Sequence, residues 1–188
     1  AKSKIYPIKN ILHQSKSFLY FIKKNYHFIP FKFLKKKVVN SITMITPEIE
    51  QYKVEPQDFE QVPNKPSIRG GCGIVSFVTN NKNQKEYACK KTLHQIKKDS
   101  IPEKLFYQEV TVLALFHHPA IVPFFGFAVE RNRGNIYLEY MVKGSLDNVI
   151  KNIHEGSRDP LFDETHKFII AYGIARAMKY LHSQNILH

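Results

Sequence analysis

The chain has 188 residues and 43% hydrophobic content, enough for one ordinary domain with a packed core, or for a domain with an extension. Two cysteines, Cys72 and Cys89, exclude a disulfide framework and read as reduced thiols of an intracellular protein. The net charge of +12 is lopsided: residues 1–53 hold 11 Lys against two acids, a balance of +9, while residues 54–188 carry only +3.

The basic character therefore belongs to an N-terminal flank, residues 1–45. Lys23, Lys24, Lys32, Lys35, Lys36 and Lys37 alternate there with Phe and Tyr, and Pro30 breaks any continuous helix. The apolar run Phe18–Ile22 falls far short of the ~18 residues that cross a bilayer. Residues 46–57, with Pro47 and Pro56, read as a linker. From Asp58 the pattern is that of a folded domain. Strand-like Ile74-Val75-Ser76-Phe77-Val78, the polar turn Asn80–Gln84 and Glu86–Lys90 predict a hairpin. Ser100-Ile101-Pro102-Glu103 has the form of a capping box, with Pro in the first turn. The helix it opens carries Leu105, Phe106, Glu109, Val112, Leu113 and Phe116. Strands follow near 122–129 and 135–140, then a short helix after Gly144. Asp163 is placed to cap a last helix whose Ile169, Ile170, Ile174, Ala177, Met178 and Leu181 recur at helical spacing.

Three positions carry a candidate chemistry. A turn with Gly70, Gly71 and Gly73 lets backbone N–H groups approach phosphate oxygens, although a tight hairpin alone explains such a turn equally well. Lys90 shares a strand face with Ala88, so an inward ammonium needs a partner. Glu109, among apolar neighbours on the capped helix, is that partner; the plainer alternative is a surface acid. The nine histidines show no Cys/His ligand spacing, and no metal site is expected.

The motif order is more specific than any single motif. Gly70-Gly71-Cys72-Gly73-Ile74-Val75, Tyr87-Ala88-Cys89-Lys90, Gln108-Glu109-Val110, His118-Pro119-Ala120-Ile121-Val122, Leu138-Glu139-Tyr140-Met141, Gly144-Ser145-Leu146 and Tyr180–His188 follow one another. Together they resemble the first half of a eukaryotic protein kinase domain, most closely the tyrosine-kinase-like Ser/Thr group. The resemblance implies an α+β fold: an N-lobe of antiparallel sheet plus one helix over residues 58–138. A hinge and the first helices of an incomplete C-lobe would occupy 139–188. It implies that Lys90 and Glu109 form the catalytic pair and that ATP lies against Ile68, Arg69, Gly70, Gly71, Cys72 and Gly73 of the glycine-rich turn. Val75 and Ala88 would lie above the adenine and Leu138 behind it. The Glu139 carbonyl and the Met141 N–H would face the adenine edge, and Ser145 the ribose.

Departures from the family pattern matter. Ile68 stands in place of the first glycine, Cys72 in place of an aromatic at the turn's tip, and Ser76 in place of a common Tyr. Pro63 and Pro66 fall where the first strand should run. Weakened nucleotide binding is the expectation. The chain stops on the His of the catalytic loop, so the catalytic Asp, the Mg²⁺ ligands and the activation segment are expected beyond His188. A first residue of Ala1 suggests truncation at the front as well. The intact protein is expected to transfer the γ-phosphate of Mg-ATP to Ser/Thr of protein substrates, and this chain alone to be inactive. Two rivals stay open: a pseudokinase-type binding or scaffold module, and a basic protein of anionic membrane surfaces acting through residues 16–37. The flank otherwise reads as a solvated or partner-docking extension, and no specific nucleic acid is expected. A cytoplasmic location, with peripheral membrane attachment as its variant, fits these readings.

Overall fold

The computed structural model describes residues 47–70, 73–142, 145–157, 162–184 and 186. The basic flank, Gly71 and Cys72 of the glycine-rich turn, Gly144, and His188 lie outside the described residues. The chain divides into two compact units. One comprises the described residues up to His117, with Pro123–Tyr140 and the stretch from Leu181; the other comprises His118–Val122 and Met141–Tyr180.

The first unit opens on a short helix, α1 (Pro47–Glu50), and a 3₁₀ turn at Pro56–Asp58. Its sheet has strands β1 (Phe59–Gln61), β2 (Ile68–Gly70), β3 (Gly73–Asn80), β4 (Glu86–Lys91), β5 (Phe124–Glu130) and β6 (Arg133–Glu139). The order is β1-β3-β4-β6-β5, with β2 also on β3, and all these pairings are antiparallel. Helix α2 (Ile101–Leu115) connects β4 to β5. The second unit carries α3 (Leu146–His154) and most of α4 (Glu164–Ser183). A sheet with one helix, then further helices, is the expected α+β order.

Local chemistry explains most element ends. The β3–β4 turn is held by Asn80, whose side-chain oxygen accepts from the N–H groups of Lys82 and Asn83 at 2.9 and 3.1 Å. The β5–β6 connection has two residues, Arg131 and Asn132, at φ 48° and 60°, as the right-handed twist of a hairpin favours. Ser100 caps α2, accepting from the Glu103 N–H at 3.3 Å. The Glu103 carboxylate reaches back to the Asp99 N–H, at 2.7 Å, one residue earlier than a regular capping box. Asp163 caps α4 as expected, accepting from the His166 N–H at 2.8 Å.

Two expectations are corrected, and a third feature, the proline-broken first strand, takes a definite form. The segment read as a linker is packed: Ile49 is fully buried, and Tyr52 and Val54 exchange backbone hydrogen bonds with Phe127 at 3.0 Å. Its composition hid this because one buried Ile and two backbone bonds leave no periodic trace. On α2, Leu105 is half exposed while Gln108 and Thr111 are buried, and Phe116 lies beyond the helix as its C-cap. The first strand is split in two. Gln61 pairs with Val78 and Ile68 with Val75, so seven steps along one strand match three along the other. The four extra residues form an excursion around Pro63-Asn64-Lys65-Pro66, with Asn64 at φ 61°. Proline cannot donate to the ladder, so the strand leaves the sheet where the prolines fall.

The helical unit has a separate apolar cluster. Ala120, Val149, Ile170 and Ala177 form it, with Leu146, Ile153, Phe162, Ile169 and Ile174 packed around. Among the described residues no helix is long and apolar enough to cross a membrane.

Candidate active site

Directly paired residues of neighbouring strands share a sheet face, as do alternate residues of one strand. Ile68 lies opposite Val75, Val75 opposite Lys90, and Lys90 opposite Ile136. Phe77, Ala88 and Leu138 form the next row on the same face. One face thus gathers Ile68, Val75, Ala88, Lys90 and Leu138. The other face carries Val78, Tyr87, Cys89, Ala128 and Tyr137, closed over by Val54, Phe59 and Phe125. There Phe59 stacks on Tyr137 with centroids 3.9 Å apart. Burial pushes the Cys89 thiol up to about 11, so this cysteine is a core residue and no nucleophile.

Helix α2 packs on the Lys90 face. Gly134 on β6 makes this close approach possible, since a Cβ there would lie 2.3 Å from the Phe106 ring. The ring of Phe106 also meets Phe127 edge-on at 6.1 Å. Glu109, three residues and just under one turn past Phe106, comes down on Lys90. The Lys90 ammonium donates to both carboxylate oxygens of Glu109, at 2.7 and 2.9 Å. Lys90 is 4% exposed, and the Glu109 side chain is 15% exposed, half-buried against it rather than on the surface. Burial raises the Glu109 carboxyl above its ordinary range, and the Lys90 charge draws it only part of the way back. Such a pair is a weak source of stability, because desolvation opposes the Coulomb attraction. Charged pairs held at that cost are typical of working sites.

Gly73 begins β3 beside this pair. A Cβ on it would meet the Lys91 carbonyl oxygen at 2.7 Å and the Lys90 stem at 3.3 Å. Only glycine lets the start of β3 lie this close to the lysine. Opposite it are Gly70 on β2 and, one step earlier, Arg69 paired with Ile74. Ile68 is 57% exposed. At the far end of β6, the Glu139 N–H donates to the Pro123 carbonyl at 3.0 Å. Met141 and Ser145 belong to the helical unit. There the Ser145 hydroxyl accepts from the Asn148 N–H at 3.1 Å and caps α3. That capping role was not read from the sequence, although a Ser directly before the helical run Leu146–His154 carries the signal. Among the described residues no cluster of three His, Cys, Asp or Glu side chains is arranged to hold a metal ion.

One residue that the sequence reading passed over stands out. Lys65, in the excursion between β1 and β2, bonds Glu86 at 2.7 Å and lies 4.3 Å from the Tyr140 ring centroid. Its signal was the lysine set between two prolines that break a strand.

A family profile described as protein kinase domain matches residues 69–188. Similar proteins include a probable serine/threonine-protein kinase of Dictyostelium discoideum, 35% identical over 102 residues, covering 52% of this chain and 6% of that protein. The serine/threonine-protein kinase SSK22 of Saccharomyces cerevisiae is 33% identical over 84 residues, covering 45% of this chain and 6% of its own length. Mitogen-activated protein kinase 7 of Arabidopsis thaliana is 28% identical over 131 residues, or 70% of this chain and 35% of that protein. The chain thus spans about a third or less of each of these relatives. Their names do not single out the tyrosine-kinase-like group.

Proposed function

Because this chain belongs to the protein kinase domain family, we propose that it holds ATP for transfer of the γ-phosphate to Ser/Thr hydroxyls of proteins, as part of a serine/threonine kinase. The observation that carries this reading is the buried, two-oxygen pairing of Lys90 with Glu109 on the sheet face that also bears Val75, Ala88 and Leu138. Phosphoryl transfer asks a protein mainly for positioning and for neutralisation of charge. Lys90 is proposed to meet the α- and β-phosphate oxygens, with Glu109 holding its ammonium in place. The backbone around Gly70 and Gly73 is proposed to cover the phosphates, and Val75, Ala88 and Leu138 to enclose the adenine. Bound Mg-ATP supplies the transferable phosphoryl group. Arg69, Ile68 and Cys72 are proposed to border the nucleotide, with Ile68 weakening its hold. Glu139 and Met141 are proposed to meet the adenine edge, and Ser145 the ribose.

The intact Lys90–Glu109 pair supports this reading over that of a silent scaffold. The flank, with its 11 Lys against two acids over residues 1–53, is proposed to add affinity for anionic membrane surfaces.

Calorimetric titration with Mg-ATP tests the proposal. Saturable binding by the chain is expected, weakened about tenfold or more in Lys90→Met, since a lost charge-assisted hydrogen bond is worth about 1.5–3 kcal/mol. Equal binding by the two proteins would overturn it.

A further inference from the structure

The excursion that splits the first strand places a cation where an uninterrupted strand would have none. Val62 is the last ladder residue before it, donating to the Phe77 carbonyl at 2.9 Å, and Ile68 resumes pairing opposite Val75. Between them, the Lys65 ammonium lies 4.3 Å from the Tyr140 ring centroid and 5.9 Å from that of Phe77. Tyr140 and Phe77 meet edge-on at 5.0 Å. Glu86, the first residue of β4, fixes the ammonium from another side at 2.7 Å. One lysine therefore ties together the excursion, β3, β4 and the residue that follows β6. Cation–π attraction acts in addition to the ion pair.

The location gives this cluster its meaning. Lys65 sits three residues before β2, which runs directly into the glycine-rich turn. Tyr140 stands between Glu139 and Met141, the two residues whose backbone is proposed to face the adenine. The geometry points to Lys65 as a positioning residue that fixes the glycine-rich strand relative to the Tyr140 backbone, and so sets nucleotide affinity. This rests on the nucleotide-site reading above. It touches no phosphate and takes no part in the chemistry. The prolines on either side of Asn64-Lys65 limit the alternatives open to the excursion, so the lysine is presented at low entropic cost.

Two readouts test it on the whole chain, in wild type, Lys65→Met and Lys65→Arg. The first is amide hydrogen exchange without nucleotide. Lys65→Met is expected to exchange several-fold faster at both residues 68–70 and residues 140–141, and Lys65→Arg to keep the wild-type rates, because its guanidinium still offers a cation to the rings. The second is Mg-ATP affinity, expected to fall about three- to tenfold in Lys65→Met and to return in Lys65→Arg, with the melting temperatures of the three proteins unchanged. Unchanged exchange in Lys65→Met would overturn the coupling. Faster exchange with unchanged affinity would overturn the role in nucleotide positioning. Should wild type bind no nucleotide, the nucleotide-site reading and this role fall together, while the exchange data still judge the coupling by itself.

Discussion

In the sheet unit the interior holds Asn80, Lys90, Gln108, Thr111 and Asn135, whereas the helical unit closes on Ala120, Val149, Ile170 and Ala177. Every buried polar side chain among the described residues belongs to the first unit. An apolar cluster of this kind needs only helical periodicity and caps, and any side chains of similar volume would serve. A buried ammonium needs one particular carboxylate at one distance. The contrast separates a unit closed by apolar packing from one whose interior also depends on specific polar partners, and the ion pairs follow it. Lys90–Glu109 is enclosed, while Lys151–Asp147 on α3 has side chains 65% and 66% exposed.

The sharpest way to break this comparison is to orphan the buried charge. Glu109→Ala should cost about 3–5 kcal/mol, because Lys90 is left unpaired in the interior. Urea denaturation measures this. The double variant Lys90→Met/Glu109→Leu should recover most of the loss, since apolar replacement of a buried pair is often neutral. Next in size is Gly134→Ala, which forces the Phe106 ring off β6 and should cost about 1–3 kcal/mol. Adding Phe106→Leu to Gly134→Ala should lessen that cost, which a thermal melt would show.

The helical unit offers smaller effects. The His118 ring stacks on Tyr180, and its Nδ1 accepts from the Ala120 N–H at 3.1 Å, a bond that needs the neutral ring. Burial first, and then the charge of Arg176, hold its pKa below the ordinary 6.5. The unfolded chain therefore takes up the proton first as pH falls. The contribution of this ring is complete above 6.5 and is lost as pH drops through the lower folded value. Melts between pH 7.5 and about 5 should show the decline, flattened in His118→Gln. Smallest of all, Lys151→Ala should leave the melting temperature unchanged, because its pair with Asp147 is solvent-screened.

How far the sequence could be read tracks the distance over which each feature acts. Ser100, Asp163 and the Asn80 turn act within four residues, and their patterns were visible directly. The pairing of Lys90 with Glu109 spans 19 residues. It was visible only because strand alternation left the lysine needing a partner and the motif order supplied one. The packing of residues 47–54 was not visible, since one buried Ile and two backbone bonds to Phe127 carry no periodicity. Pro63 and Pro66 signalled a broken strand, but not that Lys65 would land on Tyr140, 75 positions later. Asn135 is the other case: its side-chain oxygen is buried without a hydrogen-bond partner, and alternation on β6 gives no account of it.

The central claim is that the buried pair exists for a nucleotide and not for the fold, and Lys90→Met/Glu109→Leu separates the two. The measurement is the melting temperature of wild type and of this double variant, with and without Mg-ATP. Both should melt alike without nucleotide. With nucleotide at about 100 times the wild-type Kd, wild type should gain about 2.7 kcal/mol of stability and a higher melting temperature, and the double variant, bound about tenfold or more weakly, should gain about 1.4 kcal/mol or less. An equal shift in both proteins would contradict the account.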